Sequence, residues 1–147
     1  MKFFLWSLMF LLGGYHSPSD SSGVSVVGQI VSEGQIFLNQ KVLNKKFTDG
    51  TPIETHEIVV DPATKKTFLV EEGHVQETND CRIRRTELTL TGEDLRPLSP
   101  GLTETCAGRG CSHCVFKERG GCKCKNSVNI CEHTISRYTD DFFDIGE

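Results

Sequence analysis

The chain has 147 residues, with 16 Lys and Arg against 20 Asp and Glu, for a formal net charge of −4. That balance argues against a nucleic-acid binder, because neutralising phosphates takes a clear excess of Lys and Arg. The length suffices for one modest domain, or for a smaller domain with a stapled module behind it. In chain order, Met1 and Lys2 give a short positive start, and Phe3 to Leu12 (FFLWSLMFLL) is an apolar run of ten. Such a run suits a secretory signal peptide and is about half of the roughly 20 residues that a membrane-spanning helix needs. Residues 1–22 are therefore read as a signal peptide. No later segment is apolar enough to span a bilayer, so the expected location is secreted, extracellular and without a transmembrane segment.

Residues 23–92 carry the signals of strands and turns. Gln35 to Val42 (QIFLNQKV) follows the turn signal Ser32-Glu33-Gly34. Thr48-Asp49-Gly50-Thr51-Pro52 is a strong breaker built around Asp-Gly. Glu57 to Val60 (EIVV) and Thr67 to Val70 (TFLV) flank Asp61 to Lys66, which predicts a β-hairpin with a longer loop. Thr86, Leu88 and Leu90 alternate with Glu87, Thr89 and Thr91, a period of two that puts one apolar face on a strand. Passing from the Cys81/Ile83 face to the Thr86/Leu88/Leu90 face takes a bulge near Arg84-Arg85. No window shows a helical period with caps. The expected fold class is mainly β: a small antiparallel β domain followed by a small disulfide-rich, loop-dominated module.

Pro97 and Pro100 interrupt the connector that follows, so residues 93–105 are expected to be a linker. The cysteine-rich module is placed at 106–137 and an acidic aromatic tail (YTDDFFDIGE) at 138–147. The module has a local excess of positive charge and the tail has only negative charge, so the two could engage different partners.

Six of the seven cysteines, Cys106, Cys111, Cys114, Cys122, Cys124 and Cys131, lie in the module; the seventh is Cys81. C-x-x-C at Cys111/Cys114 and C-x-C at Cys122/Cys124 are spacings that zinc ligands use. A secreted chain, however, meets oxidant before it meets free zinc, and paired thiols there become disulfides. A redox-active C-x-x-C needs its first cysteine at a helix N-terminus, and Gly108, Gly110, Gly120 and Gly121 around this one favour no helix. The remaining role is structural. Val115, Phe116, Val128 and Ile130 are too few to stabilise the module by burial, whereas a disulfide contributes roughly 2–4 kcal/mol. Three disulfides are expected, with pairing left open, except that Cys122 and Cys124 sit too close along the chain to bond to each other without strain. Neither a metal nor a cofactor is expected.

The order of the last three cysteines is similar to the close of an EGF-like domain, but Cys106, Cys111 and Cys114 are spaced far more tightly than in that family. Ile58-Val59-Val60-Asp61, with the strand and cysteine that follow, resembles the start of a BRICHOS propeptide domain, without that domain's helices.

Beside Cys81 stands Arg82-Ile83-Arg84-Arg85, which matches the R-x-[K/R]-R pattern of proprotein convertases, with Arg82, Arg84 and Arg85 as its basic positions. A cut after Arg85 releases a peptide with an even count of six cysteines and leaves Cys81 behind. Without the cut, Cys81 pairs with a module cysteine, which ties the halves together and leaves one thiol free, or it pairs between molecules. Lys117 and Arg119, in Val115 to Gly121 (VFKERGG), form a candidate exposed binding loop. Ser112 beside His113 lacks a third group to orient a triad, so no enzyme activity is expected. Two functions follow as expectations. One is a secreted, disulfide-stabilised, non-enzymatic protein that binds extracellular partners in matrix, receptor or secreted fluid. The other is a proprotein whose six-cysteine peptide acts in signalling, inhibition or defence.

Overall fold

The computed structural model describes residues 25–31, 34–125 and 127–138; the signal-peptide segment and the tail after Tyr138 lie outside them. Among the described residues ten strands form: eight make an antiparallel sheet curled into a nearly closed barrel, and two make a small sheet beside it. The strands are β1 (Gly28–Ile30), β2 (Ile36–Leu38), β3 (Thr55–Val60), β4 (Thr67–His74), β5 (Cys81–Thr91), β6 (Asp94–Pro97), β7 (Gly101–Gly108), β8 (Cys114–Phe116), β9 (Cys122–Cys124) and β10 (Cys131–Tyr138). The mainly β, antiparallel reading of the sequence is borne out.

The expected hairpin is β3–β4, in register from Thr55↔Glu72 to Val60↔Thr67. Its loop closes on Asp61, whose carboxylate accepts the Ala63 amide at 2.8 Å while Lys65 takes a positive φ of 61°. The Asp-Gly breaker is a turn, with Gly50 at φ 85° and the Thr51 amide donating to Asp49 Oδ1 at 2.9 Å. This turn segment crosses over β4 at Gly73, where any Cβ would collide with the Pro52 carbonyl oxygen.

Strand β5 organises the sheet. It pairs along one edge with β4 and along the other with both β6 and β7. The segment expected as a linker is therefore β6 and part of β7, split at Pro97 to Gly101. Proline ends the ladder locally, but the chain re-enters alongside the same neighbour. The expected module joins the large sheet as well, since β10 pairs with β7 over its whole length, from Cys131↔Gly108 to Tyr138↔Gly101. Only β8 and β9 stand apart, paired with each other.

The expected bulge is absent: β5 keeps one register with β4 from Cys81↔His74 to Leu88↔Thr67. Both faces of β5 are covered instead. Val27, Leu43, Leu69, Leu88 and Leu95 form the core on the inner face. Cys81 and Ile83, on the outer face, belong to a second core made with the module's cysteines. A strand with period-two faces needs no bulge when each face has its own cover.

Candidate functional site: the sulfur cluster on the outer face of β5

The seven cysteines of the sequence converge on one side of the barrel. Cys81 opens β5, Cys106 lies in β7, Cys114 opens β8, Cys122 and Cys124 bound β9, Cys131 opens β10, and Cys111 lies in the loop between β7 and β8. Two disulfides join them, Cys81–Cys114 and Cys111–Cys124, and Cys106, Cys122 and Cys131 are thiols. Cys81 thus ties the strand before the module to the module itself. The C-x-x-C cysteines bond to different partners and not to each other. Cys122 and Cys124 also part: Cys124 bonds to Cys111, whereas the Cys122 thiol faces the Glu132 carbonyl oxygen at 3.5 Å. Two disulfides stand where three were expected.

Five sulfurs crowd together. Cys131 Sγ lies 3.5 Å from Cys114 Sγ, 3.5 Å from Cys124 Sγ and 3.8 Å from Cys111 Sγ, and Cys81 Sγ lies 3.7 Å from Cys111 Sγ. The sulfurs of Cys81, Cys111, Cys114 and Cys131 all fall within 4.8 Å of one another. Burial pushes the thiols of Cys106, Cys122 and Cys131 above the ordinary thiol range. Gly108 leaves room for the cluster, since a Cβ there would stand 2.6 Å from Cys81 Sγ and 2.9 Å from Cys111 Cβ.

Backbone and side-chain hydrogen bonds hold the Cys111 loop down. The Cys81 amide donates to the Cys111 carbonyl at 2.7 Å. Asp80 Oδ1 accepts the Gly110 amide at 2.7 Å and the Cys111 amide at 3.3 Å. Hydrogen bonding from Thr78, and then from these two amides, holds the Asp80 carboxyl below its ordinary value despite some desolvation. His74 spans from the sheet to the loop, with Nδ1 2.9 Å from Glu54 Oε2 and Nε2 2.9 Å from the Ser112 carbonyl. Its pKa is raised above 6.5, chiefly by the Glu54 hydrogen bond, with burial opposing and Ser112 assisting. A protonated imidazole donates from both nitrogens, which suits these two acceptors. Beside it a depression of about 240 Å³ opens between His74, Ser112, His113 and Lys125.

The three arginines read as a processing site lie within β5, and each has a fixed partner. Arg82 Nε reaches Asp49 Oδ2 at 2.8 Å, which anchors the Asp-Gly turn. Burial pushes the Asp49 carboxyl up, but the hydrogen bonds from Arg82 and Thr51 outweigh it and hold the group below its ordinary value. Arg84 is buried on the inner face, with Nε 2.5 Å from Glu71 Oε2 and its guanidinium 5.3 Å from the Phe47 ring centroid. Arg85 is held by Glu104 at 2.8 Å and lies between the rings of Phe68 and Phe116, at 5.0 and 4.4 Å. A convertase cleft takes an extended chain with free backbone groups, and here both edges of the segment are hydrogen-bonded to β4 and β7. The folded chain thus presents no accessible bond at Arg85, and a cut there has to precede pairing of the strand.

Lys117 and Arg119 project from the tip of the β8–β9 hairpin and are exposed, with Gly120 and Gly121 at positive φ closing the turn. Ser112 Oγ lies 3.0 Å from His113 Nδ1, a contact in a solvent-facing loop. Sequence reading missed His74, Asp80 and Glu71. His74 and Asp80 gain their roles from the β4–β5 register, which sets His74 opposite Cys81 with the Val75 to Asp80 turn between. Comparisons with protein-family models, with curated proteins and with solved structures give no match.

Proposed function

We propose that this chain is a secreted, disulfide-stabilised, non-enzymatic protein that binds an extracellular protein through strand β10 and the loop leading into it. The observation that carries this reading is the apolar exposure along that segment. Val128 is 100% exposed, Ile130 79% and Ile135 57%, with Leu102 of the neighbouring strand at 51%. Among the described residues β10 pairs on one side only, with β7, so its other edge offers unpaired backbone groups. An unpaired edge strand is a template for pairing with another chain, and here Ile135 on the strand with Val128 and Ile130 in the loop before it supplies exposed apolar side chains beside that edge. Addition of a partner strand there would supply backbone hydrogen bonds, while the side-chain pattern supplies selectivity.

One further fact supports the extracellular part of the reading. Disulfides persist in oxidising compartments, and Cys81–Cys114 and Cys111–Cys124 are both disulfides.

The test uses the full chain expressed in a secretory host, purified from the medium, labelled, and applied to extracellular matrix and to cell surfaces. Wild-type protein is expected to bind saturably. Ile130→Asp combined with Ile135→Lys should reduce binding at least tenfold while leaving the circular dichroism spectrum unchanged. Retention of the chain inside the cell would sink the secreted reading, and equal binding by the variant would sink the β10 interface.

A further inference from the structure

The cluster contains more sulfur than its two disulfides use. Cys131 is a thiol, it is the least buried of the five clustered cysteines, and it stands 3.5 Å from one sulfur of each disulfide: Cys114 in one, Cys124 in the other. Reacting atoms about 3–3.5 Å apart are at near-attack distance, so little entropy is left to lose on the way to reaction. A disulfide is exchanged when a thiolate attacks one of its sulfurs and expels the other.

We propose that Cys131 is the nucleophile of an intramolecular thiol–disulfide exchange centre, which redistributes two disulfides and one thiol among Cys81, Cys111, Cys114, Cys124 and Cys131. In one arm Cys131 loses its proton to solvent and its sulfur bonds to Cys114 Sγ. The Cys81–Cys114 bond breaks, and Cys81 leaves as thiolate and takes up a proton. In the other arm Cys131 bonds to Cys124, the Cys111–Cys124 bond breaks, and Cys111 receives the proton. Each arm conserves two disulfides and one thiol, so neither oxidant nor reductant is consumed. The released Cys81 sulfur lies 3.7 Å from Cys111 Sγ, so the first arm can hand on to the second disulfide in turn.

The two arms differ in what they tether. With Cys81–Cys114 intact, β5 is bonded to β8, so the small hairpin is fixed on the outer face of the barrel. With Cys114–Cys131 in its place, the hairpin is bonded to β10 instead, and the cross-link between β5 and the module is released. The exchange therefore moves the anchor of the β8–β9 hairpin between the centre of the sheet and its edge strand. Cys106 and Cys122, both buried thiols, stand outside this set.

The test is disulfide mapping of the oxidised full chain. The protein is held at mildly alkaline pH, where the raised Cys131 thiol begins to ionise, with an alkylating reagent for increasing times, quenched in acid, digested without reduction and read by mass spectrometry. Label is expected on Cys131, Cys81 and Cys111, the last two at roughly 1–10% of the total at early times, as for a minor state a few kcal/mol above the major one. Cross-linked peptides Cys114–Cys131 and Cys124–Cys131 should accompany them. In Cys131→Ala and Cys131→Ser the label should leave Cys81 and Cys111, and only Cys81–Cys114 and Cys111–Cys124 should remain. A single fixed set of cross-links in the wild type, whichever set it is, would overturn the proposal. So would a native mass heavier by one metal ion with Cys81, Cys111, Cys114 and Cys131 all alkylated after unfolding, because the cluster would then be a thiolate cage.

Discussion

Strand β5 faces two cores of different chemistry. Its inner face meets leucines, with Leu69 and Leu88 from adjacent strands packed against Val27, Leu43 and Leu95, and a buried Glu71–Arg84 pair next to them. Its outer face meets sulfur, with Ile83 buried among Cys81, Cys106, Cys111, Cys114, Cys122 and Cys124. The inner core draws on strands β1 to β6 and is stabilised by removing apolar surface from water. The outer one covers its strand with a hairpin of two three-residue strands, which has few large apolar side chains of its own. Cross-links do there what area does inside: they act on the unfolded chain, by removing conformations that it would otherwise regain.

Reduction is the largest test of this contrast. Cys81–Cys114 closes 33 residues and Cys111–Cys124 closes 13. By loop-closure entropy their loss costs about 4 and about 3 kcal/mol respectively. The costs should fall on one region. In hydrogen exchange with a phosphine reductant, amides of β8 and β9 are expected to lose protection while those of β4 and β5 keep theirs. Equal loss across both would show that the barrel depends on the cross-links as much as the hairpin does.

A second test strikes the inner side. Glu71 is 1% exposed and Arg84 3%, so Glu71→Ala strands a buried guanidinium and should cost about 3–5 kcal/mol in urea unfolding. The double variant Glu71→Leu/Arg84→Met removes both charges and should recover most of that loss, because a well-packed apolar pair substitutes for a buried ion pair at little cost. The disulfides should remain as mapped in both variants. Rearranged cross-links in Glu71→Ala would show that the two faces of β5 are coupled.

The inner side was legible in the sequence and the outer side only in part. Period two at Thr86, Leu88 and Leu90, the Asp61 to Lys66 loop and the Asp-Gly turn are local signals, and each appears as a strand or turn where it was expected. Non-local pairing was not legible. Pro97 and Pro100 read as a linker because a proline cannot donate to a ladder, yet the chain on either side of them returns to β5. Arg82, Arg84 and Arg85 read as a processing motif because three arginines in four residues match the R-x-[K/R]-R pattern. Their partners, Asp49, Glu71 and Glu104, lie far off in sequence and arrive only through the turn and the β4 and β7 registers. The cysteine count marked a stapled module, but which sulfurs meet is set by strands β5, β7 and β10 converging, which no spacing within the module encodes.

The smallest effect expected comes from His74, the polar strut between the two regions. Its folded pKa is raised above the ordinary 6.5, chiefly by the Glu54 hydrogen bond, so the folded chain holds this proton more tightly than the unfolded chain does. The stabilisation is then fully present below about pH 6.5 and is lost as pH rises through the higher folded value. Asp49, Asp61, Asp80 and Asp94 are all held below their ordinary values, so their contributions are lost only as pH falls through the acid range and do not overlap this window. The measurement is the urea midpoint of wild type and His74→Gln from about pH 5.5 to about pH 8.5, where only the histidine term should differ between them. The gap is expected to be widest at the acid end and to close toward the alkaline end. It should also shrink in high salt, because Glu54 is half exposed and its attraction is screened. Parallel curves would mean that His74 stays neutral and donates to only one of its two acceptors, and that the loop carrying Cys111 is held to the sheet by the Cys81 amide, Asp80 and the disulfides instead.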